Sequence, residues 1–342
     1  MSRRGRPKQL LPFIGGRSLL ELAAGRLEGV VSAEHRLICA SESHRGVIRG
    51  ACGEYGDDQI LGEPVGRDTV NAVGFTAAVL SKRDRDAVFA VLTADHIIEP
   101  HEEFARKLEV GFRLVEDDGR RFVTFAIEPT YAATGYGYVE MGPPIEGFAG
   151  ARRVLRFVEK PDVETARTYL RTGTFGWNSG MFVFHAGQFM EALSWYQPEC
   201  YAGLTKIATL WDTGERGAVL EETYPKLPRI SVDYGVMEPA SADERLALCG
   251  VPMEVTWLDV GNWPNYASTL EADAEGCRTN AKSLHVDSSG ILALSDNPEH
   301  VIATIGCKDL IVVHTEDVTM VCPASEAQRV KALAKRAAES LR

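Results

Sequence analysis

No run among the 342 residues approaches the ~18 consecutive apolar residues of a membrane-spanning helix. The opening MSRRGRPKQL is basic but has no apolar stretch behind it, so it does not read as a secretory signal. Positive charge is in deficit. The chain has 37 Lys and Arg against 48 Asp and Glu, a net −11, which argues against general nucleic-acid or anionic-membrane binding. The seven cysteines, at 39, 52, 200, 249, 277, 307 and 322, are odd in number and form no CxxC pair. They suit reduced cytoplasmic thiols better than a disulfide frame or a zinc site. The eight histidines show no HExxH spacing and there is no Walker loop, which argues against a zinc hydrolase or a P-loop kinase.

What is present suits a folded enzyme-sized chain. Hydrophobic residues make up 45% and charged residues 25%, enough for a sizeable core. The length allows two domains, or one large α/β domain with an appendix. Apolar runs at 36–40, 87–92 and 122–126 read as strands, and the patterns at 70–80 and 101–116 as helices, with Asp68 or Thr69 as N-cap of the first. The continuous run 87–92 reads as a parallel strand covered on both faces. This alternation implies a doubly wound α/β sheet. From 135 to 185 strand signals dominate, with a helix near 162–171, as in a mixed sheet. Helices are expected over 187–224 and a further strand up to Asp259. Beyond a break near 265–280, short strands recur at 283–286, 291–294, 301–305, 310–313 and 318–321, as in a few coils of a β-helix. An amphipathic helix over 324–341 follows.

Several residues could carry chemistry. Asp95 follows a buried strand, where open α/β sheets bind ligands, and a carboxylate there can hold Mg²⁺. The same residue could instead cap the next helix. Asp259 stands in a similar place, or simply forms the turn before Gly261. Glu159 and Lys160 end a strand that Pro161 closes, and could bind sugar hydroxyls and a phosphate, or only each other. Asn178, in Trp177-Asn178-Ser179-Gly180, offers an amide that both donates and accepts, as polyol recognition needs. A turn explains these residues equally well. Gly135 and Gly137 precede a strand and would let a ligand approach the backbone. The arm Arg3-Arg4-Gly5-Arg6-Pro7-Lys8 could cradle a triphosphate. It also looks like a minor-groove arm, or a solvated tail.

Taken in order, eight segments resemble the sugar-nucleotide pyrophosphorylases, most closely the bacterial mannose-1-phosphate guanylyltransferases. They are Arg6 to Pro12, Glu63 to Thr69, Thr93-Ala94-Asp95-His96, Thr134 to Tyr138, Phe157-Val158-Glu159-Lys160-Pro161, Trp177 to Phe182, Ser231 to Glu238 and Trp257 to Trp263. The resemblance implies an α/β, glycosyltransferase-A-like (Rossmann-like) nucleotidyltransferase with a mixed sheet over residues 1–265. A short left-handed β-helix-like tail over 266–342, ending in a helix, would follow. The implied reaction is GTP plus α-D-mannose 1-phosphate giving GDP-mannose and pyrophosphate, in the cytoplasm, with Mg²⁺ as cofactor and neither nucleic acid nor membrane as partner. A homodimer through the tail stays open. By motif match Asp95 and Asp259 would hold Mg²⁺ and Lys8 would meet the nucleotide phosphates. Lys160 would neutralise the sugar phosphate, and Glu159 and Asn178 would bind mannose hydroxyls. Gly135 would offer its backbone to the sugar, and Arg67, Asp68 and Thr69 would lie near the nucleotide. The alternatives are another nucleotide-sugar pyrophosphorylase, or a catalytically silent sugar-nucleotide-binding homologue.

The resemblance also carries a departure. The family opens with a strand and a loop of the type G-G-x-G-x-R whose N–H groups wrap the phosphates. Met1 falls just past that point, so about 20 residues by usual element lengths are expected to be absent. Weak or no turnover and newly exposed apolar surface are the expected consequences.

Overall fold

The computed structural model describes residues 7–10, 12–14, 16–261, 263–297, 299–330, 332–333 and 336. It divides into two units, Ser2–Trp257 and Leu258–Arg342. In the first, Ile38–Ser41 (β1) and Ile60–Glu63 (β2) pair in parallel. Helix Thr69–Arg83 (α1) then begins at Asp68, whose carboxylate accepts the Thr69 N–H and so occupies one of the orphan donors of the first turn. Val88–Val91 (β3) leads to helix His101–Asp117 (α2), which carries Glu102 and Glu103 in its first turn, where the helix dipole favours them. Its Phe104, Leu108, Leu114 and Val115 recur at helical spacing and are buried.

The elements that build the central sheet follow: strands Arg121–Ile127 (β4), Tyr138–Pro144 (β5) and Arg152–Val158 (β6), helix Val163–Thr172 (α3) and the long strand Phe175–His185 (β7). Helices Ala186–Tyr196 (α4), Pro198–Thr209 (α5) and Arg216–Thr223 (α6) precede strand Ala247–Pro252 (β8). Six strands form one mixed sheet in the order β3-β7-β4-β8-β6-β5, with only the β4–β8 pair parallel. Early residues of β7 also pair with β5, so this strand reaches both edges of the sheet. Edge-to-face rings close the core, with Phe122 and Phe184 centred 4.9 Å apart.

Two expectations are corrected here. The apolar run 87–92 is not a parallel strand covered on both faces. Among the described residues β3 lies at the sheet edge and pairs, antiparallel, with β7 alone, and it is mostly half-buried. Nor does Asn178-Ser179-Gly180 form a turn between strands. It lies inside β7, where the pairing with β4 slips between Asn178 and Phe182 and Gly180 takes φ +71°. This is a bulge, and glycine supplies its left-handed position without steric cost.

In the second unit Arg278–Thr279 (β9), Leu292–Ser295 (β11) and Leu310–His314 (β13) stack in parallel, as do Lys282–Val286 (β10) and Val301–Ile305 (β12). The spacing from Lys282 to Val301 repeats from Leu292 to Ile311, which defines one coil of a β-helix. Strand Thr319–Pro323 (β14) closes it antiparallel to β13. Along β12 burial alternates, with Ile302 and Thr304 inside and Val301, Ala303 and Ile305 outside. A 3₁₀ helix at Ala324–Arg329 follows. Most of the expected helix beyond it, and the basic arm Arg3–Arg6, lie outside the described residues.

Candidate active site

The loop Thr93-Ala94-Asp95 leaves the end of β3 and leads to a short strand, His96–Glu99. Asp95 Oδ2 lies 2.8 Å from Lys8 Nζ and accepts a longer bond, 3.4 Å, from Gln9 Nε2. Burial alone would raise this carboxyl's pKa, but the Lys8 ammonium outweighs burial and holds Asp95 below the usual aspartate range. It is an anion at neutral pH. It does not cap a helix, because Pro100 occupies the N-cap of α2. Beside it Trp257 Nε1 donates to His96 Nδ1 at 3.2 Å, and Thr93 Oγ1 is 2.6 Å from the same nitrogen. An indole N–H can only donate, so the neutral ring carries its proton on Nε2. Burial pushes His96 down to about 4, with Asp95 opposing, so the ring is neutral at pH 7.

A second group gathers at the bulge of β7 and the end of β6. Glu159 is buried and ion-paired with Lys160, whose backbone sits at φ +43°. Burial raises the Glu159 carboxyl, and nearby Asp233 raises it further. Asn178 is buried beside it, and its Nδ2 donates to Asp233 Oδ1 at 2.8 Å. Gly137 supplies the floor, since a Cβ there would stand 2.5 Å from Glu159 Oε2 and 3.3 Å from Asn178 Cβ. Its carbonyl accepts the Asn178 N–H at 2.8 Å. Gly135 has open space around it.

The Arg67–Thr69 loop is clamped toward this group. Thr69 Oγ1 accepts the Val232 N–H at 2.8 Å, and Val70 N donates to Ile230 O at 3.1 Å. The fully buried Asn71 donates to the carbonyls of Arg67 and Pro228 at 2.9 and 2.7 Å. Rings connect the two groups. His96 meets Trp257, Trp257 meets Tyr136, and Tyr136 meets Trp177, the residue before Asn178, with centroids 5.0, 5.0 and 5.3 Å apart. The arrangement offers an anion with a cation at one end and a carboxylate–amide–ammonium cluster at the other. That suits a ligand bearing both phosphates and hydroxyls.

Comparison with known proteins matches residues 3–276 to the family described as nucleotidyl transferase, and 281–336 to the MannoseP isomerase/GMP-like beta-helix domain. The chain belongs to the nucleotidyl transferase family. Among relatives, the xanthan biosynthesis protein XanB of Xanthomonas campestris pv. campestris (strain ATCC 33913) is 33% identical over 337 residues, covering 97% of this chain and 68% of XanB. The mannose-1-phosphate guanylyltransferase of Escherichia coli K12 is 34% identical over 335 residues, covering 95% of this chain and 67% of that protein. A crystal structure described as mannose-1-phosphate geranyltransferase from Thermus thermophilus superposes with a TM-score of 0.84 at 30% identity, over 98% of this chain and 93% of that one.

Within this nucleotidyl transferase the structure brings together Lys8 with Asp95, and Glu159 with Lys160 and, through Asp233, Asn178. Asp259 ends the strand Thr256–Asp259 in the other unit's numbering range, where its carbonyl accepts from Asn265 Nδ2 at 2.5 Å. Two residues escaped the sequence reading. Asp233 lies in a quoted motif, but only the fold reveals its bond to Asn178. Arg26 is 3% exposed and donates from Nη2 to Thr93 O at 3.1 Å, while its Nε and Nη1 have no hydrogen-bond partner among the described residues. Burial pushes its guanidinium down to about 10, with Asp95 opposing. No spacing in the sequence marks it as a buried charge.

Proposed function

We propose that the chain transfers a guanylyl group from GTP to α-D-mannose 1-phosphate, forming GDP-mannose and releasing pyrophosphate. The observation that carries this reading is the pair of buried Glu159 and Asn178 side chains on the Gly137 floor, with the exposed Lys160 ammonium at the rim, a site suited to a polyol. The names of relatives that span nearly the whole chain favour mannose 1-phosphate over other sugar phosphates, and an enzyme over a silent homologue. In the reaction a sugar-phosphate oxygen attacks the α-phosphorus in line. With a second pKa of about 6 the phosphate is already largely dianionic at pH 7, so no general base is needed. Lys8 would meet the nucleotide phosphates and Lys160 the sugar phosphate. Each offsets the repulsion between two anions. Glu159 and Asn178 would hold the hydroxyls, the Gly135 backbone would line the sugar, and Arg67, Asp68 and Thr69 would lie beside the nucleotide.

Asp95 and Asp259 are our proposed Mg²⁺ ligands. The donors suit a hard cation, since both are carboxylates and Asp95 is ionised. When bound, Mg²⁺ would neutralise charge on the nucleotide and on the departing pyrophosphate. The seven unpaired cysteines support a reducing, cytoplasmic setting, and among the described residues no helix is long and apolar enough to cross a membrane. The apolar outer face of the tail supports a homodimer. To test the reaction, the chain is incubated with each nucleoside triphosphate and several hexose 1-phosphates, with pyrophosphate release and GDP-mannose binding as readouts. Release confined to GTP with mannose 1-phosphate is expected, even if slow. Release with a different pair, or neither release nor GDP-mannose binding, would overturn the reading, and binding without release would favour a silent homologue.

A further inference from the structure

The hydrogen bonds around Asn178 fix which way its amide faces. Asn178 Oδ1 accepts from Thr124 Oγ1 at 2.9 Å and from the Gly180 N–H at 3.2 Å. Its Nδ2 donates one hydrogen to Asp233 Oδ1 at 2.8 Å. A flipped amide would aim an NH₂ at the Gly180 donor and an oxygen at a carboxylate, so this orientation is the only one that satisfies all three neighbours. Thr124 is fully buried, and among the described residues its hydroxyl reaches only Asn178 and, at 3.3 Å, the Met181 carbonyl. Asn178 therefore does not both donate and accept toward a ligand. Its oxygen is occupied, and one N–H remains. The acceptor beside that N–H is Asp233, whose Oδ2 accepts no hydrogen bond from another residue among those described. Asp233 opens a single π-helical turn, Asp233–Met237, a geometry that recurs at functional sites. Burial raises its carboxyl while Asn178 and Lys160 draw it back down.

We propose that Asp233 is a second sugar-binding carboxylate, accepting from a hydroxyl of the hexose that Asn178 N–H also contacts, and that Thr124 is the positioning residue that holds Asn178 as a pure donor. This rests on the guanylyl transfer reading and extends it. The subsite then presents an acceptor, a donor and an acceptor (Glu159, Asn178, Asp233), a pattern fitted to adjacent hydroxyls and poorly fitted to a sugar lacking one of them.

The test compares binding of GDP-mannose with binding of GDP, by calorimetry, in the full chain and in D233N, T124V, T124S and E159Q. A merely structural defect would weaken both ligands, whereas a sugar-site defect removes only the advantage of GDP-mannose. D233N turns the open position from acceptor to donor, and should weaken GDP-mannose about 10- to 100-fold with GDP unchanged. T124V keeps the shape but frees the amide, and should weaken GDP-mannose about 10-fold, while T124S restores it. If E159Q removes the advantage but D233N and T124V both keep it, this inference fails and the guanylyl transfer reading stands. If the unmodified chain shows no preference for GDP-mannose over GDP, the sugar subsite itself fails and this inference with it.

Discussion

Lys8 and Asp95 neutralise one another at 2.8 Å, so each is placed to trade its partner for a phosphate or a cation. Removing the charge on one side tests this. Asp95→Asn should lower the rate of pyrophosphate release by about 100-fold or more, the usual loss when a preorganised charge is taken from a reacting phosphate. Its thermal melt should stay close to that of the parent chain. A variant that keeps more than a third of the parent rate would remove Asp95 from the chemistry. Glu159 makes the opposite case. Burial raises its carboxyl in the fold, so the folded chain holds that proton more tightly than the unfolded chain does. The stability this contributes is complete below the ordinary glutamate range and is lost as pH rises through the raised value. Glu159→Gln has no such titration. Its melting temperature should therefore gain on the parent between pH 5 and pH 8, by about 2–4 °C per kcal/mol removed, while its affinity for GDP-mannose falls. Melting curves of both proteins at the two pH values decide it, and a gap that moves the other way would sink the argument. Lys8, Asp95, Glu159, Lys160 and Asn178 were legible because each sits in a short local motif. Asp233 was not, because its meaning comes from Asn178, which only the packing of the π-helical turn against the bulge brings near.

At the scale of elements the bulge in β7 and the start of β5 together make the floor of the Glu159–Asn178 cluster. The two glycines before β5 differ in kind. A methyl at Gly137 would stand 2.5 Å from Glu159 Oε2, whereas one at Gly135 would meet nothing in the protein within 4 Å. Gly137→Ala should therefore displace the Glu159 carboxylate at a cost of about 1–3 kcal/mol, lowering both stability and GDP-mannose affinity. Gly135→Ala should leave the melt unchanged and lose affinity only where the sugar itself needs the space. Calorimetry and melting of the two variants side by side separate these outcomes; equal behaviour would mean that neither glycine is there for the ligand. The same region shows why some elements misread. Val88–Val91 is apolar along its length, and such a run looks alike whether a strand is central or at an edge. Its place at the edge comes from β7, a strand far along the chain. Asn178-Ser179-Gly180 has turn composition, yet a bulge uses the same glycine at φ +71° without ending the strand. Local chemistry named the residue type required, and pairing decided the element.

At the scale of the whole molecule, the α/β half and the coiled β tail could be told apart from strand spacing alone, since β-helix strands follow one another too closely to leave room for crossover helices. What the tail does follows from the faces of its coils. In β10 and β12 alternate residues point outward, and the outward ones include Leu284, Val286, Val301 and Ile305, with Ile305 75% exposed. The register sets Leu284 beside Ala303 and Val286 beside Ile305, with Lys282 beside Val301 at one end, so the outward side chains of this parallel pair are mostly apolar. Monomeric proteins rarely leave such patches in water beyond a few hundred Å². A second copy of the same face is the partner that needs no further component, and two-fold pairing brings each patch onto its own equivalent. The chain should accordingly sediment as a dimer at micromolar concentration. Ile305→Glu would place a carboxylate within that contact, where burying an unpaired charge is costly, yet it would leave the inward Ile302 and Thr304 untouched. The variant should sediment as a folded monomer, with the circular dichroism of the parent. A parent that is monomeric at all concentrations, or an Ile305→Glu variant that remains dimeric, would show that this face is not where two chains meet.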